Sequence, residues 1–178
     1  MEPEMSEDLR FPIGKFDKNV EITAELRNKS ISEIAALPAQ IRTAVADLSD
    51  EQLDTAYRTD GWTVRQVVHH VPDSHLNSFI RFKWALTEDS PVIKAYHEDR
   101  WAELGDSKMP IENSLKLLES LHFRWFELLN SMSDNDYLKV LVNPETGEWT
   151  LSQMVALYAW HGKHHTAHIS KLRERNRW

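Results

Sequence analysis

Histidines recur on one face of the last predicted helix, where apolar side chains are expected. From Leu151 onward, the positions that would face the interior of a helical bundle recur at alternating spacings of three and four residues. These positions are Met154, Tyr158, His161, His165, His168 and Leu172. A buried imidazole without a partner costs on the order of a few kcal/mol. A metal ion offsets that cost because neutral imidazole is a common metal ligand, so the spacing predicts a metal site on this helix.

Two of these histidines are placed to act as a pair of ligands. His161 and His165 lie four residues apart, so both rings point toward the same spot. His164 is turned by about 100° from His165 around the helix axis and is expected to point elsewhere. A third ligand must then come from another helix. Three histidines with one open position make a catalytic type of metal site, since a closed structural site uses four protein ligands.

An earlier predicted helix offers candidates for the third ligand, namely His69, His70 and His75. The face that carries His70 also carries Val67, Ser74, Asn77 and Arg81. An ordinary apolar core would exclude these polar residues, which makes His70 the stronger candidate. Asn77 and Arg81 are candidates for substrate contacts, because the guanidinium fork of arginine suits a carboxylate. A surface salt bridge is the alternative role for Arg81.

Helical periodicity dominates the rest of the chain. Apolar residues recur at helical spacing between Ile34 and Leu48, where Pro38 is expected to interrupt or restart the helix. A further helix is expected from Pro110 onward, and it places His122 on an apolar stripe that ends at Leu129. Few stretches alternate apolar and polar residues as a strand does.

These segments predict an all-α fold, a four-helix bundle that forms one domain over residues 1–178. Residues 1–22 show no period and are expected to form an N-terminal arm. Residues 88–110 are expected to form a long connection between the second and third helices.

Two of the predicted helices begin with the same signature. Thr63 is followed three residues later by Gln66, and Thr150 by Gln153, which is the pattern of a capping box at a helix N-terminus. A tryptophan precedes each threonine, and a Ser-Asp start lies upstream of each pair. The chain is therefore expected to consist of two weakly related halves, although such a helix start could also recur by chance.

The same residues resemble a known family. The run from Trp62 to Val71, followed by Asp73, Ser74, His75 and Asn77, is similar to the first signature of the DinB/YfiT-like metalloproteins. The run His161-Gly-Lys-His164-His165 is similar to their second signature. The Ile80-Arg81 pair and the segment Arg10-Phe11-Pro12-Ile13-Gly14 resemble the YfiT branch.

The resemblance implies a four-helix bundle, often a homodimer, with one divalent metal ion held by three histidines. Matched residue by residue, it implies His70, His161 and His165 as the metal ligands, with zinc favoured and nickel as the alternative. His168 stands where many relatives have glutamine, which leaves a fourth nitrogen ligand open. Pro72 stands where a small residue is more usual, and it is expected to kink the helix beside the site.

Composition limits the classes of partner and chemistry. The net charge is −7, which argues against nucleic acid or an anionic membrane as the main partner. The absence of cysteine excludes disulfides, thiolate metal sites and a cysteine nucleophile. No signal peptide or membrane span is evident in the sequence, so the expected location is the cytoplasm.

The expected function is a metal-dependent hydrolase in which a mononuclear three-histidine site activates water for attack on a small-molecule substrate. The Glu-x-x-His pattern of di-iron bundles is missing from the ligand helix, which favours one ion. A thiol S-transferase that uses a bacillithiol-type thiol is the first alternative, and it is also implied by the resemblance. A non-catalytic bundle that binds a metal or small molecule is the second alternative. A homodimer is further suggested by Trp101 and Trp178, which lie outside the predicted core stripes.

Overall fold

The computed structural model describes residues 8–178, and most of these residues are helical. In chain order the elements are α1 (Ala24–Ala44), α2 (Asp50–Leu53), α3 (Val64–Thr87), α4 (Glu98–Trp101), a 3-10 turn (Gly105–Lys108), α5 (Glu112–Ser131), α6 (Asp134–Leu138), β1 (Val140–Asn143), β2 (Gly147–Thr150) and α7 (Leu151–Asn176). No helix in this described range is long and apolar enough to cross a membrane. Residues 1–7 of the predicted N-terminal arm lie outside the described residues.

The long helices α1, α3, α5 and α7 form the predicted four-helix bundle, and among their consecutive pairs only α3 and α5 pack side by side. α1 packs chiefly against α5 and α7, and α3 packs chiefly against the same two helices. α1 and α3 therefore lie at opposite corners of the bundle, and so do α5 and α7.

Capping boxes start the helices that the sequence marked. The Thr63 hydroxyl accepts from the backbone N–H of Gln66, whose side chain accepts from the backbone N–H of Thr63. Thr150 and Gln153 make the same pair of bonds at the start of α7. The short helices α2 and α6, upstream of each long helix, begin with capping boxes of their own. The two halves of the chain therefore share this local pattern.

A short hairpin precedes α7, which the sequence did not predict. β1 and β2 pair antiparallel, with Val140 opposite Thr150. In the first half of the chain, a single antiparallel bridge between Ala56 and Thr63 occupies the corresponding place before α3. Each strand has only four residues, too few for an alternating pattern to stand out.

The predicted connection and arm are both present in the structure. The segment between α3 and α5 contains α4 and the 3-10 turn. Residues 8–22 contain no helix or strand and run beside α7. There, Phe16 contacts the ring of Trp160, and the side chain of Gln153 donates to the carbonyl of Lys18.

Neither internal proline ends its helix, so the expected interruption at Pro38 is wrong, whereas the kink expected at Pro72 stays a prediction. α1 is continuous through Pro38, and α3 is continuous through Pro72. Proline has no N–H, so Pro38 leaves the carbonyl of Ile34 without its intrahelical donor. The Nδ1 atom of His122 on α5 donates to that carbonyl over 2.6 Å, which replaces the missing bond.

The buried apolar residues form two clusters, one toward each end of the bundle. Along α1 and α7 the chain passes from the first cluster to the second, and along α3 and α5 it passes from the second to the first. α1 and α7 therefore run in one direction, and α3 and α5 run in the other. The histidines of α7 and His75 of α3 lie in the sequence intervals between the two clusters, and His70 lies at the edge of that interval, one residue before Val71 of the second cluster. The bundle thus has a polar layer between two apolar ones.

Gly162 marks a close approach of α7 to α1. A Cβ atom at Gly162 would lie 2.5 Å from Cδ2 and 2.9 Å from Cδ1 of Leu37, a core residue that has little room to move. We therefore expect Gly162→Ala to lower the free energy of unfolding by about 1–3 kcal/mol, the usual cost of overpacking. Urea denaturation measures this loss. Gly105→Ala is the control, because a Cβ there meets no atom within 4 Å, and an equal loss in both variants would contradict the packing argument.

Candidate metal centre

Three imidazole rings meet in the polar layer. His70 of α3 and His161 and His165 of α7 each offer one ring nitrogen, and these nitrogens lie within 4.8 Å of one another. The Nε2 atoms of His70 and His161 are 3.3 Å apart. The centroids of the three rings are separated by 4.5 to 5.3 Å. We call these residues the histidine cluster, and they are the three that the sequence singled out as metal ligands.

The helix geometry explains why the cluster forms. His161 and His165 are one helical turn apart on the buried seam of α7, and antiparallel α3 presents His70 to them. Trp62, just before the N-cap of α3, contacts the rings of His70 and His165 and forms a wall of the cluster. His70 and His165 are buried, whereas His161 keeps partial exposure to solvent.

Burial keeps all three rings neutral. It lowers the pKa of His70 to about 4, with a smaller contribution from the neighbouring His164. It also lowers the pKa values of His161 and His165 well below the ordinary value of a histidine. The rings are therefore unprotonated on one nitrogen at pH 7, which is the form that binds a metal ion.

The donor set fits one divalent ion of the first transition series. Three neutral nitrogens suit zinc or nickel, whereas calcium and magnesium prefer oxygen ligands. Within residues 8–178, the only group of side chains that could hold a metal ion is the histidine cluster, which contains no carboxylate. A single ion agrees with this donor set. The Nδ1 atom of His165 is buried with no hydrogen-bond partner in this range, and a metal ion bound through this nitrogen would supply the missing partner.

His164 and His168 lie beside the cluster but outside it. His164 is buried, stacks on Trp160 at a centroid distance of 4.6 Å and does not belong to the group of candidate ligands. His168 stacks on Tyr57 at 3.9 Å, and its Nε2 atom donates to the backbone carbonyl of Arg10 over 3.3 Å. That hydrogen bond engages Nε2 of His168, and His168 does not belong to the group of candidate ligands.

Two further histidines contact the site: His75, which the sequence offered as a weaker candidate for the third ligand, and His122, to which it assigned no function. His75 of α3 is fully buried, and its Nε2 atom lies 3.1 Å from Nδ1 of His161. His122 of α5 lies 2.9 Å from the other side of His75. Each is a lone histidine on an otherwise apolar stripe, and this exception to the stripe is the signal that could have drawn attention to them.

The structure separates the two residues predicted to contact substrate. The side-chain amide of Asn77 donates to the carbonyl of Asp73 one turn earlier in its own helix. Arg81 is only 8% exposed and lines a cavity of about 220 Å³ together with Asn143, Trp149 and Tyr158. Arg81 donates to the carbonyl of Lys94, yet it has no carboxylate partner among residues 8–178. Its charge is therefore available to a ligand in the cavity.

A larger cavity lies elsewhere, at the N-terminal end of α3. It has a volume of about 680 Å³ and is lined by Asp50, Asp54 and Arg65. Arg65 forms ion pairs with both aspartates, at 2.7 and 2.6 Å. Its charge is already compensated by the two aspartates. This cavity therefore offers an anionic ligand no unpaired positive charge, in contrast to the smaller cavity beside Arg81. Tyr158 lines the smaller cavity and also contacts the histidines, because its ring is 5.0 Å from that of His75 and 5.6 Å from that of His161.

The chain is closely similar to characterised folds and curated sequences. The solved structure of YfiT from Bacillus subtilis, described as a probable metal-dependent hydrolase with an unusual four-helix bundle topology, matches with a TM-score of 0.92. Its sequence is 45% identical to this chain, and the match covers 96% of this chain and 98% of that one.

Two curated relatives extend the similarity. A protein of Bacillus cereus (strain 03BB102) is 57% identical over 96% of this chain and 99% of its own length, and one of Bacillus mycoides (strain KBAB4) is 56% identical with the same coverage. Both carry the name "Putative metal-dependent hydrolase". Residues 33–169, which include the whole histidine cluster, match the DinB superfamily. With its bundle fold and these relatives, the chain belongs to the DinB superfamily.

Proposed function

We propose that this protein is a metal-dependent hydrolase in which His70, His161 and His165 hold one divalent metal ion. The observation that carries the proposal is the convergence of three neutral imidazoles between the apolar layers of the bundle. No carboxylate belongs to this group of candidate ligands. Zinc is the favoured ion, and nickel is the alternative. A divalent ion with three histidine ligands and an open position supplies an activated water and polarises a substrate carbonyl.

The residues around the cluster support this reaction by selecting and orienting a substrate. Trp62 packs against two of the ligands and limits the approach of bulk water. His161 as a whole residue retains partial exposure, and we propose that a substrate approaches the cluster from this side. We propose that a small substrate places its reacting carbonyl near His161 and an anionic group, such as a carboxylate, near Arg81. Tyr158 lies between these two places.

Hydrolysis of 4-nitrophenyl esters by metal-free, zinc-loaded and nickel-loaded protein tests the proposal. We expect turnover only in a metal-loaded form, with no requirement for a thiol. Turnover that depends on added bacillithiol would favour the S-transferase instead. Stoichiometric metal binding without turnover across ester, amide and thiol substrates would favour a binding protein.

The charge of Arg81 gives a prediction about substrate preference. We expect Arg81→Gln to raise KM for 4-nitrophenyl hemisuccinate roughly tenfold or more, because a charge-assisted hydrogen bond is lost. KM for the neutral 4-nitrophenyl acetate and the metal content should stay the same. Arg65→Gln is the matched control, since Arg65 is equally buried on the same helix but is ion-paired. Equal effects on both esters would exclude an anion site at Arg81.

The homodimer and the cytoplasmic location stay predictions. Trp101 is 39% exposed and Trp178 is 36% exposed, so both rings are accessible to a second copy of the chain.

A further inference from the structure

A series of hydrogen bonds connects the backbone of α1 to the histidine cluster. It runs from the Ile34 carbonyl to His122 over 2.6 Å and from His122 to His75 over 2.9 Å. It then runs from His75 to His161 over 3.1 Å. We call this series the histidine relay, and it takes one member from each of the four long helices.

The first bond of the relay fixes a proton on His122. A carbonyl oxygen can only accept, so the Nδ1 atom of His122 must carry the proton. Pro38 makes that carbonyl available, because it lacks the N–H that would bond to Ile34 in an uninterrupted helix. Pro38, which has no ionisable group, thereby sets the tautomer of His122 on α5.

The remaining hydrogen bonds of the relay determine which nitrogen carries the proton in His75 and in His161. His75 and His122 are both fully buried, which favours the neutral ring, and a neutral imidazole carries its proton on only one of its two nitrogens. With Nδ1 of His122 protonated, its Nε2 must accept, and Nδ1 of His75 must donate to it. Nε2 of His75 then accepts in turn, and Nδ1 of His161 donates to it.

The relay ends on a nitrogen that faces the cluster. Because the proton of His161 is held on Nδ1, its Nε2 atom carries a free lone pair, and this atom lies 3.3 Å from Nε2 of His70. His165 differs from His161, since its Nδ1 atom has no hydrogen-bond partner among the described residues. The protein thus presets the tautomer of His161, whereas no hydrogen bond does so for His165.

We propose that His75 and His122 are positioning residues, which hold His161 as the Nδ1–H tautomer with Nε2 directed at the metal ion. The proposal rests on the metal site proposed above and adds two residues to it. A hydrogen bond to the second nitrogen of a histidine ligand fixes the ring orientation and raises the basicity of the ligating nitrogen. Here another histidine takes the place of the usual carboxylate or backbone carbonyl.

Nitrogen-15 NMR of the metal-free protein tests the relay directly. We expect His122, His75 and His161 all to be protonated on Nδ1 at pH 7. A proton on Nε2 of His75 or of His161 would overturn the proposal. This measurement needs neither turnover nor bound metal, so it remains decisive even if the protein turns out not to be a hydrolase.

Metal affinity gives a second test. We expect His122→Phe to raise the Kd for zinc roughly 10- to 100-fold, as the loss of an outer hydrogen-bond partner does at other sites. His69→Phe is the matched control, because His69 is also a buried histidine with two hydrogen bonds, to Ser114 and to the Met109 carbonyl. Competition with a chromophoric chelator measures both. Equal loss of affinity in the two variants would overturn the proposal, and should His122→Phe not fold, the tautomers of the wild type still decide it.

Discussion

Replacing His165 with alanine is expected to reduce bound metal from about one ion per chain to background, whereas replacing His164 with alanine is expected to leave it unchanged. The two residues are neighbours in sequence and are both buried, so the variants remove the same side chain from similar surroundings. They differ in direction, because the ring of His165 belongs to the cluster and that of His164 stacks on Trp160. Elemental analysis of protein purified without a histidine tag measures the difference.

A chelator gives the control for this comparison. A metal ion that binds only the native state stabilises it by mass action, so the chelator should lower the Tm of the wild type and of His164→Ala. It should have little further effect on His165→Ala. Equal metal content in the two variants would contradict the assignment of the ligands. Loss of metal in His164→Ala alone would show that the metal lies on the face of α7 that carries His164.

The second large effect is a loss of stability in acid. Burial lowers the pKa values of His70 and His122 to about 4 in the folded protein, whereas an unfolded histidine has a pKa of 6.5. Between these values the unfolded state binds more protons, so the free energy of unfolding decreases as the pH falls from 6.5 toward 4. Each such histidine contributes a slope of about 1.4 kcal/mol per pH unit. Urea midpoints of the metal-free protein over this range measure the sum.

A pair of variants identifies the source of the acid effect. His122→Phe removes one buried histidine and should make the pH dependence shallower. His97→Ala removes an exposed one and should leave it unchanged. A stability that stays constant from pH 6.5 to 4.5 in the metal-free wild type would contradict the neutral, buried state of these rings.

The sequence predicted the ligand pair on α7 because both members lie on one helix. His161 and His165 are four residues apart, so helix geometry alone places both rings on one face. His70 was identified by the polar residues on its face of the helix and by the family signature. His75 and His122 could not be assigned in this way, because their partners lie on other helices. The bond between His122 and Ile34 joins residues that are 88 positions apart.

The same limit applies to the fold. The helices and their caps depend on residues close in sequence, such as Thr150 and Gln153, and were predicted. Pro38 was expected to interrupt α1, yet His122 supplies the donor that the proline lacks, and this contact exists only in the packed bundle. The placement of α1 and α3, and of α5 and α7, at diagonally opposite corners of the bundle also depends on packing. No local sequence pattern encodes it.

The diagonal placement has a consequence for how the protein folds. A bundle of antiparallel neighbours can grow by closing one helical hairpin after another, through contacts between residues close in the chain. Here α1 packs chiefly against α5 and α7, and α3 with α5 is the one neighbouring pair of consecutive long helices, so most contacts between the long helices join distant parts of the chain. Long-range contacts of this kind slow folding relative to bundles built from local ones. The proposed metal ligands also come from both halves, His70 from the first and His161 from the second, so neither half alone contains the complete set.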